Sequence, residues 1–272
     1  MPILFGTAGI PHASKDRSTA GGVKTISELG LDAMEVQFVR GVKMGEAKAR
    51  EVAAVSEALG VALSVHAPYY INLNSEDKFE DSVKRLIDSV RIGSIFKAKG
   101  IVFHAAYYQK SSKEKVYEKV KNGIVKVLKY MKEHNIETVL RPETTGKPTQ
   151  FGELDELLKL SQELENVMPC VDFAHMHARY RRYNSYDEFC EILTKVEESL
   201  GKEALRNMHM HVSGIEYGLK GEKAHLNLEE SDLKYVELLR ALKDFGVDGM
   251  LICESPNLEE DAILLKNTYQ SL

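Results

Sequence analysis

The chain has 272 residues, 43% of them hydrophobic, and a formal net charge of −5. That length suits one large α/β domain with a sizeable core, and the acidic balance excludes coating of nucleic acid by bulk charge attraction while leaving room for a local basic rim. Cys170, Cys190 and Cys253 are odd in number and far apart, which argues against a disulfide framework and for a reducing, cytoplasmic setting.

Taken in chain order, the start MPILFGTAGIPHASKDR has no basic segment ahead of a long apolar one, so no secretory leader is expected. No apolar run approaches the length of a membrane span, so no membrane partner is expected. Strand-like apolar runs are expected at 3–6, 33–38, 62–66, 100–104, 137–142, 168–172, 207–212 and 249–254. Helical patterns alternate with them at 19–29, 44–59, 76–98, 112–133, 152–164, 186–200, 231–245 and 257–270. In the fourth of these, Val116, Val120, Ile124, Val127 and Leu128 recur at three- and four-residue steps, with lysines and glutamates opposite. Gly30, Gly60, Gly100 and Gly246 fall near helical ends, where a C-cap is wanted. Eight strands alternating with eight helices predict a (β/α)8 TIM barrel as a single domain over residues 1–272.

Six residues with metal-binding side chains end consecutive strand runs: His66, His104, Glu143, Asp172, His211 and Glu254. Neighbours are about thirty to just over forty residues apart, the length of a strand–loop–helix unit. In a barrel of this kind the C-terminal strand ends form the reactive rim, so the six converge. Ordinary surface polar residues would not keep to one strand end through six units. Imidazole and carboxylate donors without thiolate suit zinc, manganese or iron(II). Six ligands exceed one tetrahedral zinc and fit two ions, with Glu143, from the middle of the set, as the bridge. Two such ions can activate water and stabilise both oxygens of a phosphodiester displacement. Cys170 and Cys253 lie inside apolar runs and read as packed core.

The stretches SVHAPYYINL, VFHAAY, PETTGK, CVDFAHMHA, MHVSG, AHLNL and ESP, in that order, resemble the endonuclease IV family of zinc-dependent apurinic/apyrimidinic endonucleases. The resemblance covers nearly the whole chain. It implies a TIM barrel with three zinc ions that cleaves double-stranded DNA on the 5′ side of abasic sites. By that resemblance His66, His104 and Glu143 hold one ion, and Glu143, Asp172, His211 and Glu254 a second. The third would use His175, His225 and an aspartate two positions before His225. Here that position is Lys223, and a protonated lysine cannot ligate a cation. Three outcomes stay open: Glu222 or Glu216 supplies the oxygen, solvent fills the gap, or the site is empty and Lys223 carries part of the charge.

The resemblance also implies that Tyr69 and Arg40 enter the duplex near the abasic site, against the plainer readings of a rim tyrosine and a solvated loop arginine. The run HARYRRYNSY sets Arg179, Arg181 and Arg182 among Tyr180 and Tyr183, types that grip phosphates and stack on bases. His209, two residues before His211, shares its strand face one layer deeper and reads as a core or supporting histidine. His177 is left between a supporting role and a DNA contact; His12 and His134 read as bystanders. Gly146-Lys147 lacks the upstream glycine of a phosphate-binding loop.

The expected activity is hydrolysis beside an abasic nucleotide by a monomer, with Glu143 orienting the nucleophile and the baseless nucleotide flipped out. The rival is a sugar isomerase or epimerase of the xylose isomerase-like barrels, whose one-metal Glu–Asp–His–Glu set is matched by Glu143, Asp172, His211 and Glu254. His66, His104, His175 and His225 are surplus to that rival. A non-catalytic, metal-stabilised DNA-damage binder is the third reading, kept because of Lys223.

Overall fold

The computed structural model describes residues 3–272; Met1 and Pro2 lie outside them. Eight parallel strands make one sheet: β1 (Ile3–Ala8), β2 (Ala33–Gln37), β3 (Ala62–His66), β4 (Ile101–Phe103), β6 (Leu140–Pro142), β8 (Cys170–Asp172), β9 (Met208–Val212) and β12 (Gly249–Cys253). Their spatial order is β6-β4-β3-β2-β1-β12-β9-β8. Single bridge pairs, Leu140 with Val167 and Glu143 with Cys170, join the two ends of that order and close the sheet into a barrel. Closure removes the open edges and points alternate side chains inward.

The connecting helices follow the expected periodicity: α1 (Thr19–Glu28), α2 (Glu46–Leu59), α3 (Phe79–Ile95), α4 (Lys113–Glu133), α5 (Leu154–Glu163), α7 (Tyr186–Leu200), α9 (Tyr235–Asp244) and α10 (Glu259–Ser271). On α4, Val116, Val120, Ile124 and Val127 are fully buried while Leu128 is only partly so. The apolar stripe thus faces the barrel as amphipathic packing requires. Ser18 and Ser112 cap α1 and α4 with their hydroxyls, and Glu153 with Glu156 forms a capping box on α5. Gly60 ends α2 in the left-handed conformation. Gly100 does not cap a helix as expected; its value is space, since a Cβ there would sit 2.8 Å from Cγ of Arg141.

Elements beyond the eight-fold alternation collect at the C-terminal rim, except for the short helix that leads into β9 at the opposite end of the barrel. Asp172 starts α6 (Phe173–Tyr180), a short α8 (Lys202–Leu205) precedes β9, and β5 (Ala106–Tyr107) pairs with β7 (Gln150–Phe151). A hairpin of β10 (Gly214–Gly218) and β11 (Gly221–Leu226) stands over the barrel mouth. Several barrel strands are shorter than the apolar runs that announced them: β6 and β8 begin three and two residues later than expected, while β4 and β12 stop one residue before His104 and Glu254.

Candidate metal centre

The strand ends place the predicted residues as the alternation required. His66 and Asp172 are the last residues of β3 and β8; His104, Glu143 and Glu254 directly follow β4, β6 and β12. His211 is the penultimate residue of β9. Glu143 is buried at the centre of the set. Its Oε2 lies 3.2 Å from His66 Nε2 and 2.9 Å from His104 Nε2, and its Oε1 lies 3.2 Å from His175 Nδ1 and 3.3 Å from His211 Nδ1.

Ligand atoms fall into three tight groups on the rim: His66, His104 and Glu143; Glu143, Asp172, His211 and Glu254; and His175, Glu222 and His225. Glu143 belongs to two of them. A cavity of about 590 Å³ opens above, bordered by Tyr69, Lys147 and Gln150.

Two observations test whether these residues fit cations. Asp172 Oδ2 is buried without a hydrogen-bond partner, with only His175 Nδ1 at 3.3 Å as a potential ion-pair partner, which costs free energy unless a positive group or ion meets it. The Nε2 atoms of His175 and His225 face each other at 3.3 Å, while Nδ1 of His175 is 3.0 Å from the Thr144 carbonyl and Nδ1 of His225 is 3.2 Å from the Glu254 carbonyl. With each Nδ1–H donated to its carbonyl, two lone pairs oppose one another, and a cation relieves that. The residues present fit divalent ions.

Electrostatics agree with the crowding. Burial would lower the pKa of His66, but the hydrogen bond and charge of Glu143 overcome it and hold the pKa at about 9. His175 and His211 are also pushed up against their burial, chiefly by Asp172 for His175, and by the neighbouring acidic groups around His211. Glu143 is buried, which opposes its charge, yet His104 and His211 hold its carboxyl well below the ordinary range. Asp172 is pushed up by burial and by the charges of Glu254 and Glu143. This is the pattern of a site whose excess negative charge awaits positive ions.

The third group contains Glu222 and not Lys223. In the hairpin, Ile215 pairs with His225 and Tyr217 pairs with Glu222, with a β-bulge in between. Residues directly opposite in an antiparallel pair share a face, as do residues two apart on one strand. Ile215 and Tyr217 therefore share a face, and so do their partners His225 and Glu222. The bulge absorbs Lys223, whose Nζ pairs with Glu216 Oε1 at 3.0 Å, both side chains more than half exposed. Glu222 Oε2 reaches to 3.6 Å from His175 Nε2. The Glu222 amide donates to the Gly146 carbonyl, and a Cβ on Gly146 would fall 2.6 Å from Cβ of Glu222. Of the open outcomes, the geometry matches the one in which Glu222 supplies the oxygen; Glu216 and Lys223 neutralise each other outside.

Glu35 was not anticipated. It sits fully buried in β2, accepts from Ser64 Oγ at 3.0 Å and lies 2.9 Å from His209 Nε2 and 3.2 Å from His211 Nε2. Burial opposes its ionisation, but His211 and His209 hold its carboxyl far below the usual range. It thereby directs the other nitrogen of His211, Nδ1, toward Glu143 and Glu254. The only sequence signal was an acid in the apolar run AMEVQF at an inward position. His209 is the supporting histidine expected. Cys170 clusters with His209 and His211 below the rim, but burial pushes its thiol well up, which keeps the proton on and disfavours ligation.

The basic cluster after β8 is placed differently from the expectation of a phosphate grip. Arg179 is buried in α6 and donates to the carbonyls of Thr145, Lys147 and Gln150 and to Glu153. It braces the loop that carries Gly146 and has no free donor face for a duplex. Arg182 is spent on Glu188 and Glu191. Arg181 is exposed at the left-handed end of α6. His177 bridges the Arg182 carbonyl and Asp232, away from the ligand groups. Tyr69 is 50% exposed with its ring 5.4 Å from that of His66, so it overhangs the cavity and remains accessible. Arg40 is exposed on the loop after β2. Among the described residues no helix is long and apolar enough to cross a membrane.

The sequence profile of the xylose isomerase-like TIM barrels matches residues 23–268. An uncharacterized protein of Methanocaldococcus jannaschii is 48% identical over 99% of this chain and 98% of its own length. A probable endonuclease 4 of Mycoplasma pneumoniae is 28% identical over 71% of this chain and 68% of its own. Among solved structures, endonuclease IV from Thermus thermophilus has a TM-score of 0.73 at 21% identity, covering 97% of this chain and 98% of that one. A D-tagatose 3-epimerase-like protein has 0.74 at 17%, covering 97% and 96%. At those identities the structural likeness establishes the fold alone.

Proposed function

Because the chain belongs to the xylose isomerase-like TIM barrel family, we propose that it is a zinc-dependent endonuclease that nicks double-stranded DNA on the 5′ side of abasic sites. The observation that carries this reading is the pair His66 and His104 on Glu143. Together with the Glu143–Asp172–His211–Glu254 group they make a second ligand group sharing one carboxylate, which a one-metal isomerase does not need. Bound divalent ions would supply Lewis-acid activation of water and neutralise charge on a phosphodiester. Manganese fits the same nitrogen and oxygen donors.

The chain's own residues have separable tasks. Glu143 holds two ligand groups together and orients the attacking water with its carboxylate. Asp172, whose amide is held by Thr144 Oγ1 at 2.8 Å, presents a rigid buried oxygen. His175, Glu222 and His225 form a third group on the far side of Glu143, where charge on a leaving oxygen would be met. Tyr69 overhangs His66 and would fill the gap left in a duplex by the missing base, while Arg40 would enter beside it. An abasic nucleotide turns outward at little cost because no base is unpaired. The 28% identity to a protein named probable endonuclease 4 supports this assignment.

A second reading is favoured by one observation: Glu143, Asp172, His211 and Glu254 by themselves make a single-ion carboxylate–histidine set, in a barrel close in shape to an epimerase-like protein. In that case the two glutamates would move protons at carbons beside a carbonyl. Incubation with an abasic-site duplex and, in parallel, with keto-sugars decides between them. Nicking with zinc and no sugar epimerisation is expected; epimerisation without nicking would overturn the nuclease.

A further inference from the structure

The cations that could hold a DNA strand are not where the arginine-rich stretch suggested. A second cavity, of about 550 Å³, is bordered by Arg17 ahead of α1, Arg40 and Lys43 on the β2–α2 loop, and Lys48 in the first turn of α2. Glu51 is the one carboxylate in its lining. Among the described residues none of the four cations enters an ion pair; Arg17 donates to the Pro11 carbonyl, and Lys48 feels Asp16, whose carboxylate is already engaged by Ser18. In contrast, Arg179 and Arg182 are each tied to carboxylates. Phe38, Met44 and Val52 line the same cavity, and apolar walls strengthen the field of the cations above them.

Gln37 and Val39 border both this basin and the cavity over the ligand groups, so the two are neighbours across one stretch of chain. We propose that the basin is a phosphate site that takes a backbone phosphate of the DNA strand flanking the scissile step. The proposal rests on the nuclease reading for the source of the phosphate, but not for the site itself. Four unpaired cations in a protein of net charge −5 concentrate the attraction for an anion at one spot.

The double variant Lys43→Gln/Lys48→Gln tests this, with ion content and melting temperature as controls on the fold. Two probes are used, an abasic-site duplex and inorganic phosphate, each titrated against the zinc-loaded wild type and variant. Each phosphate neutralised contributes about 0.9 to the slope of log affinity against log salt. The variant is expected to bind the duplex about tenfold more weakly, with a slope shallower by about two, and to lose one phosphate-binding event. If the wild type ignores the duplex while the phosphate event is still lost in the variant, the basin stands. The phosphate then belongs to a smaller molecule, and only the nuclease reading falls. If wild type and variant match on both probes, the basin is not a phosphate site.

Discussion

Replacing Glu222 with glutamine isolates the consequence of the hairpin bulge. Glu222 Oε2 lies 3.6 Å from His175 Nε2 and within one ligand group with His225. Glutamine keeps the size and removes the negative charge. Changes in groups that merely support a metal ligand cost about 10- to 100-fold in affinity, and loss of a ligand itself belongs at or beyond the upper end. A hundredfold loss is about 2.8 kcal/mol. Lys223→Ala, by contrast, breaks an ion pair in which both partners are more than half exposed, worth under about 1 kcal/mol. The assay is elemental analysis after dialysis against buffered zinc, with a chelating dye competing for the weakest ion. Glu222→Gln should leave two tightly held ions and Lys223→Ala three. Deleting Lys223 removes the bulged residue and sets Glu222 two positions before His225, so regular alternation should preserve the third ion. Loss of an ion in Lys223→Ala with full retention in Glu222→Gln would refute the bulge argument.

Other outcomes follow from groups already described. Glu35→Ala strips the buried partner of His209 and His211 and should destabilise by roughly 3–5 kcal/mol, read as a lower midpoint in denaturant; a change under about 1 kcal/mol would contradict its bracing role. Arg179→Ala leaves the carbonyls of Lys147 and Gln150 short of a donor and should lower stability by about 3 kcal/mol, while Arg182→Ala should change neither stability nor duplex affinity noticeably. Removing ions with a chelator should lower the melting temperature, since a ligand at a thousand times its dissociation constant stabilises by about 4 kcal/mol. Scanning calorimetry that shows no shift after confirmed ion removal would argue against ligation by the clustered residues.

Much of the site could be read before any fold was seen, for a simple reason. Strand alternation and the length of a βα unit are local properties, and they carried His66, His104, Glu143, Asp172, His211 and Glu254 to one rim. Glu35 escaped notice because its partners come from elsewhere in the barrel, Ser64 from the neighbouring β3 and His209 and His211 from β9 across the interior, and neither relation is local in sequence. Arg179 and Arg182 looked available because their sequence neighbours are polar and aromatic. Their true partners, Glu153 and the Gln150 carbonyl for one and Glu188 and Glu191 for the other, come from separate elements.

The chain's residue pattern by itself determined the barrel, the end of it at which the histidines and carboxylates cluster, and the nitrogen and oxygen donors gathered there. Tertiary structure decided which carboxylate faces His175 and His225. The resemblance put the third carboxylate two positions before His225, where Lys223 stands, and left Glu222 and Glu216 open; a one-residue bulge in β11 turns Glu222 to the side of His225. A bulge is fixed by pairing with β10 and by the contact of Glu222 with Gly146, and neither is written in the local order of residues. The same holds for the cations: their number is a matter of composition, but whether each is spent on a carboxylate or left facing a cavity is settled only when the helices and loops pack.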